Sequence, residues 1–105
     1  MASLGGSGPS LQERYAPRSR CFGCGPANER GLRLGSYLDA DGETLVAAWS
    51  PGPEHEAFAG FVNGGVLSTL LDCHSNWAAV HHFMTRDGLD SAPGCVTAEL
   101  AIRFL

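Results

Sequence analysis

Two groups of residues in this chain have types and spacings that could do chemistry. The first is the run NGG at residues 63–65, followed by an aspartate, Asp72, inside an otherwise apolar stretch (GFVNGGVLSTLLDCH, residues 60–74). Backbone N–H groups at a helix N-terminus stabilise an oxyanion, and losing one such donor typically costs about 3–4 kcal/mol. Gly64 and Gly65 have no Cβ, so the backbone there can approach a carbonyl closely, and the helix dipole favours developing negative charge. The same glycines also suit a tight turn entering a helix. A carboxylate at Asp72 can attack a carbonyl carbon or take a proton from water. It can equally be a helix residue bonded to Ser68 or Asn76 one turn away. Asn76 is placed either to position an attacking water or to make an ordinary polar contact.

The second group is CFGC, in which Cys21 and Cys24 have the C-x-x-C spacing of half a zinc site. A second matching pair is absent. Cys73 and His74 are adjacent inside a predicted helix, which is poor spacing for completing such a site. Two small apolar thiols in a buried turn are the simpler reading, and no metal ligands are assigned. Cys73 has no identifiable base and reads as a packed thiol. His74 projects from an apolar face and reads as a hydrogen-bonded core histidine. His81 and His82 fall near a helix C-terminus, where they complement the dipole. Trp77 and Phe83 read as core.

These residues need elements to hold them. Residues 11–15 can form one helical turn before Pro17. Residues 32–38 (LRLGSYL) alternate, with Leu32 and Leu34 on one face, and read as a strand. DADG at 39–42 is a hairpin turn, and ETLVAAWS at 43–50 is the returning strand, stopped by PGP. Residues 54–62 read as a loop or short extended piece. Residues 65–83 have helical periodicity. At about 100° per residue, Val66, Leu67, Leu70, Leu71, His74, Trp77, Ala78 and His81 share one broad face. Gly65, Ser68, Thr69, Asp72, Asn76 and Ala79 share the opposite face, which is small and polar and suits close approach by another element. Residues 96–105 alternate strictly and are the clearest strand in the chain. Strands with one apolar helix make an α+β layer fold. The chain stops in mid-pattern at Leu105, so the domain is expected to be incomplete at its C-terminus.

The 105 residues allow one domain at most. With 44% hydrophobic and 17% charged residues the chain is globular and not disordered. The net charge of -4 and the complete absence of Lys exclude the basic face of a general nucleic-acid binder. No stretch approaches the roughly 20 apolar residues of a membrane span. MASLGGSGPS lacks the features of a secretory signal, and residues 1–19 are expected to be a flexible tail. Four cysteines without such a signal are expected to be reduced thiols in a cytoplasmic protein.

In order and spacing, CFGCGPANERGLRL, NGGVLSTLLD and VTAELAIRFL resemble the PaaI-type hotdog thioesterases, over roughly residues 20–105. The resemblance implies a hotdog fold, a curved antiparallel sheet around a central helix. It also implies hydrolysis of acyl-CoA thioesters, without a cofactor, in a homodimer or homotetramer. It assigns the oxyanion-binding N–H to Gly64, the base or nucleophile to Asp72 and an assisting hydroxyl to Thr97. Asn63, Gly65 and Asn76 are the expected substrate contacts. Two positions depart from the family pattern: Asn63 replaces the usual His, and Ala57 stands where many members have Asn or Gln. Gly64 and Asp72 are eight residues apart, about 12 Å along a helix. One carbonyl group cannot touch both, so a shared site requires two chains with antiparallel helices. The competing readings are a non-catalytic hotdog module that binds acyl-CoA or only dimerises, and a cysteine-based metal or redox protein resting on CFGC.

Overall fold

The computed structural model describes residues 8–105; residues 1–7 of the expected tail lie outside the described residues. Ser10 caps α1 (Leu11–Tyr15). Its Oγ accepts the Glu13 N–H at 3.1 Å, and Glu13 Oε1 accepts the Ser10 N–H at 3.0 Å, which makes a capping box. Leu11 is in the core, and its N–H donates to the Ser36 carbonyl at 2.8 Å. The segment expected to be free tail up to residue 19 is therefore packed from Ser10 onward. The helical turn expected at 11–15 is present.

Residues 32–38 are only partly a strand. Leu32 and Leu34 are both buried, as their alternation predicts. Arg33 between them has φ 53°, in the left-handed region, and interrupts the extended backbone. The partners of this stretch are not in a strand either. Leu32 N–H donates to the Phe22 carbonyl (2.8 Å) and Leu34 N–H to that of Gly23 (3.0 Å), both in the CFGC turn. The hairpin ladder is thus confined to β1 (Tyr37–Leu38) and β2 (Leu45–Val46), antiparallel with Tyr37 opposite Val46. The turn at 39–42 is where the sequence puts it, with the Gly42 N–H on the Asp39 carbonyl at 3.0 Å. Beyond β2, Trp49 Nε1–H donates to the Leu32 carbonyl at 2.9 Å. A 3₁₀ turn (Pro53–His55) leads into a second hairpin, β3 (Glu56–Phe58) and β4 (Phe61–Val62).

The long helix α2 spans Gly64–Asp87. It starts at the Asn63 cap and runs past the expected end. It stops at Gly88, whose φ of 62° is left-handed and whose N–H donates to the Met84 carbonyl. Its buried residues are Cys73, Trp77, Val80 and Met84, spaced four, three and four apart. That stripe is rotated by roughly 80° from the centre of the broad apolar face read from the sequence. Leu71, on the expected core face, is 48% exposed. The difference follows from what covers the helix: Leu11 of α1, Cys24 and Leu34 meet the Cys73–Met84 stripe.

The strand expected over residues 96–105 is not formed. Among the described residues, no backbone group of residues 90–105 pairs with another backbone group. Val96 is 92% exposed, and Leu100 and Phe104 are also exposed. A strand exists only with a partner for its ladder, and no described backbone pairs with this segment, although its side chains reach α2 at Asp72 and Gly64. The architecture is α+β: two two-stranded antiparallel sheets and one long helix. No described helix is long and apolar enough to cross a membrane.

A polar chain fastens α1 and β2 to α2. Gln12 Nε2 donates to Ser36 Oγ (3.0 Å), and Gln12 Oε1 accepts the Ser36 N–H (2.8 Å). Ser36 Oγ lies 2.8 Å from His74 Nδ1, and His74 Nε2 lies 3.2 Å from the Leu45 carbonyl. A carbonyl can only accept, so Nε2 carries the proton and Nδ1 accepts from the Ser36 hydroxyl. His74 is thus hydrogen-bonded through both ring nitrogens, as expected, but half-buried beside the core and not within it.

Ser36 is completely buried. Ser36→Ala strands the Gln12 amide and His74 Nδ1, and is expected to lower stability by about 1–3 kcal/mol. Ser10→Ala, which removes the helix cap, should cost about 1 kcal/mol. Urea denaturation of both variants measures this; an unchanged midpoint for Ser36→Ala would show that the polar chain contributes nothing.

Candidate functional site

The α2 helix sets Asp72, half-buried, on one flank of its buried stripe. Across 25 residues of sequence, the Thr97 hydroxyl donates to Asp72 Oδ1. One turn further along, Asn76 Nδ2 donates to the Cys95 carbonyl at 3.1 Å. Asp72, Asn76 and Thr97 therefore come together, and all three line a cavity of about 570 Å³. Asn76 is engaged with backbone, which is the ordinary polar contact of the two readings left open above. Oδ2 of Asp72 has no protein partner among the described residues.

The helix N-terminus distributes its donors unevenly. Asn63 Oδ1 accepts the N–H groups of Gly65 (2.8 Å) and Val66 (3.3 Å). The Asn63 carbonyl accepts the Leu67 N–H at 3.2 Å. The Gly64 N–H alone in this first turn has no acceptor among the described residues. Of the two glycines, only Gly64 thus keeps its N–H without an acceptor among the described residues. Gly65 N–H and the Asn63 side-chain oxygen, both expected to contact substrate, are instead bonded to each other. Phe104 lies over Gly64: a Cβ on that glycine would be 3.6 Å from the ring. Ser68 Oγ and Thr69 Oγ1 turn back onto the Gly64 and Gly65 carbonyls, at 2.8 and 2.9 Å. The face they share with Asp72 is left short and smooth.

The cysteines come together in a way their spacing does not show. The Sγ atoms of Cys21, Cys24 and Cys73 all lie within 4.8 Å of one another. Cys21 and Cys73, 52 residues apart in sequence, are 3.7 Å apart at sulfur. All four cysteines are free thiols. The turn that carries the first two rests directly on α2. A Cβ on Gly23 would lie 2.4 Å from Cys73 Sγ and 2.7 Å from Thr69 Cγ2, so a side chain there would have to displace Cys73 and Thr69. Within the cluster, the hydrogen bond from Cys73 lowers the Cys24 thiol to a pKa of about 6, against its burial and helped by Cys21, Trp77 and Gln12. The same hydrogen bond, with burial and the negative charge on its neighbours, pushes Cys73 up. Sulfur atoms this close cannot all carry charge without a cation among them. The same cavity that holds Asp72 is lined by Cys21, Cys24, Cys73 and Cys95.

Cys73 reads from the sequence as a packed thiol, and it is buried; its place beside Cys21 and Cys24 is what the sequence does not show. The docking of the CFGC turn onto mid-helix has no local sequence signal apart from the glycine between the two cysteines. No family model, no curated protein and no solved structure matches this chain.

Gly23→Ala forces the turn and helix apart and is expected to destabilise the fold by about 1–3 kcal/mol, the usual range for overpacking. Thermal or urea melts measure it; a variant as stable as the parent would mean that the turn is free to move off α2.

Proposed function

We propose that the chain hydrolyses acyl-CoA thioesters at a site shared by two copies, with Asp72 of one copy and the Gly64 N–H of the other acting on the same carbonyl. The observation that carries this reading is the hydrogen bond from Thr97 to Asp72 Oδ1. It fixes the carboxylate and leaves Oδ2 for a water molecule. In the reaction, Asp72 takes a proton from that water as its oxygen bonds to the carbonyl carbon. The oxyanion is held by the Gly64 N–H and the positive end of α2. Its collapse breaks the C–S bond, the leaving sulfur takes the proton held by Asp72, and the coenzyme A thiol and the acid are released. Direct attack by Asp72, followed by hydrolysis of the anhydride, uses the same groups.

The dimer belongs to the same proposal. Gly64 and Asp72 stand on one helix, about 12 Å apart at 1.5 Å per residue. Antiparallel pairing of two α2 helices brings each Gly64 towards the other copy's Asp72 and makes two equivalent sites. The short face around Ser68, Asp72 and Asn76 is suited to that contact. The hotdog arrangement is proposed with it: the two hairpins supply strands for a curved sheet around α2. A hotdog module that binds acyl-CoA without turnover is favoured by one observation. The Asn63 oxygen is spent on the helix cap, so a single backbone donor is left for the carbonyl.

Asp72→Asn keeps the shape of the side chain but can neither attack nor accept a proton. It should lower kcat at least about 100-fold, with acyl-CoA affinity unchanged. Steady-state assay with an acyl-CoA panel and a binding titration separate the outcomes: a near-parental rate removes Asp72 from the mechanism, and binding without turnover by the parent chain establishes the module. Sedimentation should show a dimer at assay concentrations, and an active monomer would overturn the shared site.

A further inference from the structure

We propose that Cys21, Cys24 and Cys73 form a binding site for one thiophilic cation, Zn²⁺, with its fourth coordination position facing the cavity that also contains Asp72. The hydrolysis reading uses none of these cysteines, and this inference stands or falls without it.

The geometry is that of a ligand set. Zinc–sulfur bonds are about 2.3 Å long, so two thiolates on one tetrahedral ion lie roughly 3.8 Å apart. The Cys21 and Cys73 sulfurs are already at 3.7 Å, and the other pairs lie within 4.8 Å. Rotation about side-chain torsions closes what remains. The ligands sit on stiff elements. Cys73 is mid-helix in α2. The turn is pinned by Gly25 N–H on the Cys21 carbonyl at 2.9 Å, and by the bonds from Leu32 and Leu34 to Phe22 and Gly23.

Three sulfurs converging on one point fit an ion better than a disulfide. A Cys21–Cys73 bond would use two of them and leave Cys24, buried, against it; a cation uses all three. The chemistry of the set selects the ion. Three sulfur donors and no carboxylate favour Zn²⁺ over Mg²⁺ or Ca²⁺, which take oxygen ligands. Each thiol that becomes a ligand gives its proton to solvent. Three protein ligands leave one position for water or an added ligand, and the cluster borders the 570 Å³ cavity on that side. Cys95 lines the same cavity but is not part of the cluster. Joining residues 52 apart in sequence, the ion would also clip the CFGC turn to α2.

The test uses the full chain, stripped with a chelator and kept reduced by a phosphine. Titration with Zn²⁺ against a chromophoric competitor should give one ion per chain, bound with a dissociation constant below about 1 μM, and a higher melting temperature. Co²⁺ should give sulfur-to-metal charge-transfer bands and the visible bands of a tetrahedral site. Cys21 is exposed, so Cys21→Ser leaves the core intact; with its circular dichroism unchanged, it should weaken binding at least about tenfold. Cys24→Ser and Cys73→Ser should do the same, and Cys95→Ser should not. Zinc binding no tighter in the parent than in Cys21→Ser would overturn the proposal. So would binding lost equally with Cys95→Ser, or a Cys21–Cys73 disulfide that forms as fast with zinc present as without it.

Discussion

The seating of Gly23 against the middle of α2 is the contact on which the remaining arrangement depends. With no side chain at that position, the CFGC backbone comes within reach of Cys73 and Thr69. The turn then offers the carbonyls of Phe22 and Gly23 to Leu32 and Leu34. Those two leucines are buried as a result, and Leu32 in turn receives Trp49. Ser36, two residues beyond Leu34, is placed to bridge Gln12 and His74. Each successive segment thus reaches the helix through the one before it, and the short β1–β2 ladder is too small to do this alone.

What could be read in the sequence was local. The helical periodicity of α2, the hairpin turn at 39–42 and the small helix at 11–15 follow from residue types within a few positions, and all three elements are present. The burial of Leu32 and Leu34 also follows from their alternation, although the backbone between them is not a strand. Three features depended on contacts that no window contains. The core stripe of α2 was set by what packs on it, so Val80 and Met84 are inside and Leu71 is outside. Residues 96–105 had the alternation of a strand but no described partner to complete it. Cys73 joined a C-x-x-C pair 52 residues from Cys21, a spacing that matches no short motif. Of the candidate site, the place of the glycines near the helix start follows from residue types, whereas Thr97 beside Asp72 follows only from the family resemblance. The Asn63 cap, which withdraws Gly65 from the site, was visible only as the Asn-Gly-Gly run that allows it.

Asp72 and Cys73 are neighbours in sequence, and the helix points them about 100° apart. Even so, both border one cavity. Residues 92–97 build part of its wall, and its polar residues include Asp72, Asn76 and Thr97. Thiol chemistry and carboxylate chemistry are therefore separated by one side-chain step along a helix.

Residues 95–97 are tied to α2 by two side-chain hydrogen bonds, Asn76 to the Cys95 carbonyl and Thr97 to Asp72. No backbone pairing reinforces them among the described residues. Two such bonds, one at an exposed position, put this segment at the low end of local stability, far below the free energy of opening α2. When it lifts, Asp72 loses its donor and the wall in front of the cysteines goes with it. Solvent access to the thiols and orientation of the carboxylate are then a single motion. In amide exchange they would share one opening constant, and a reagent trapping Cys73 would sample the same open population in which Asp72 is unrestrained.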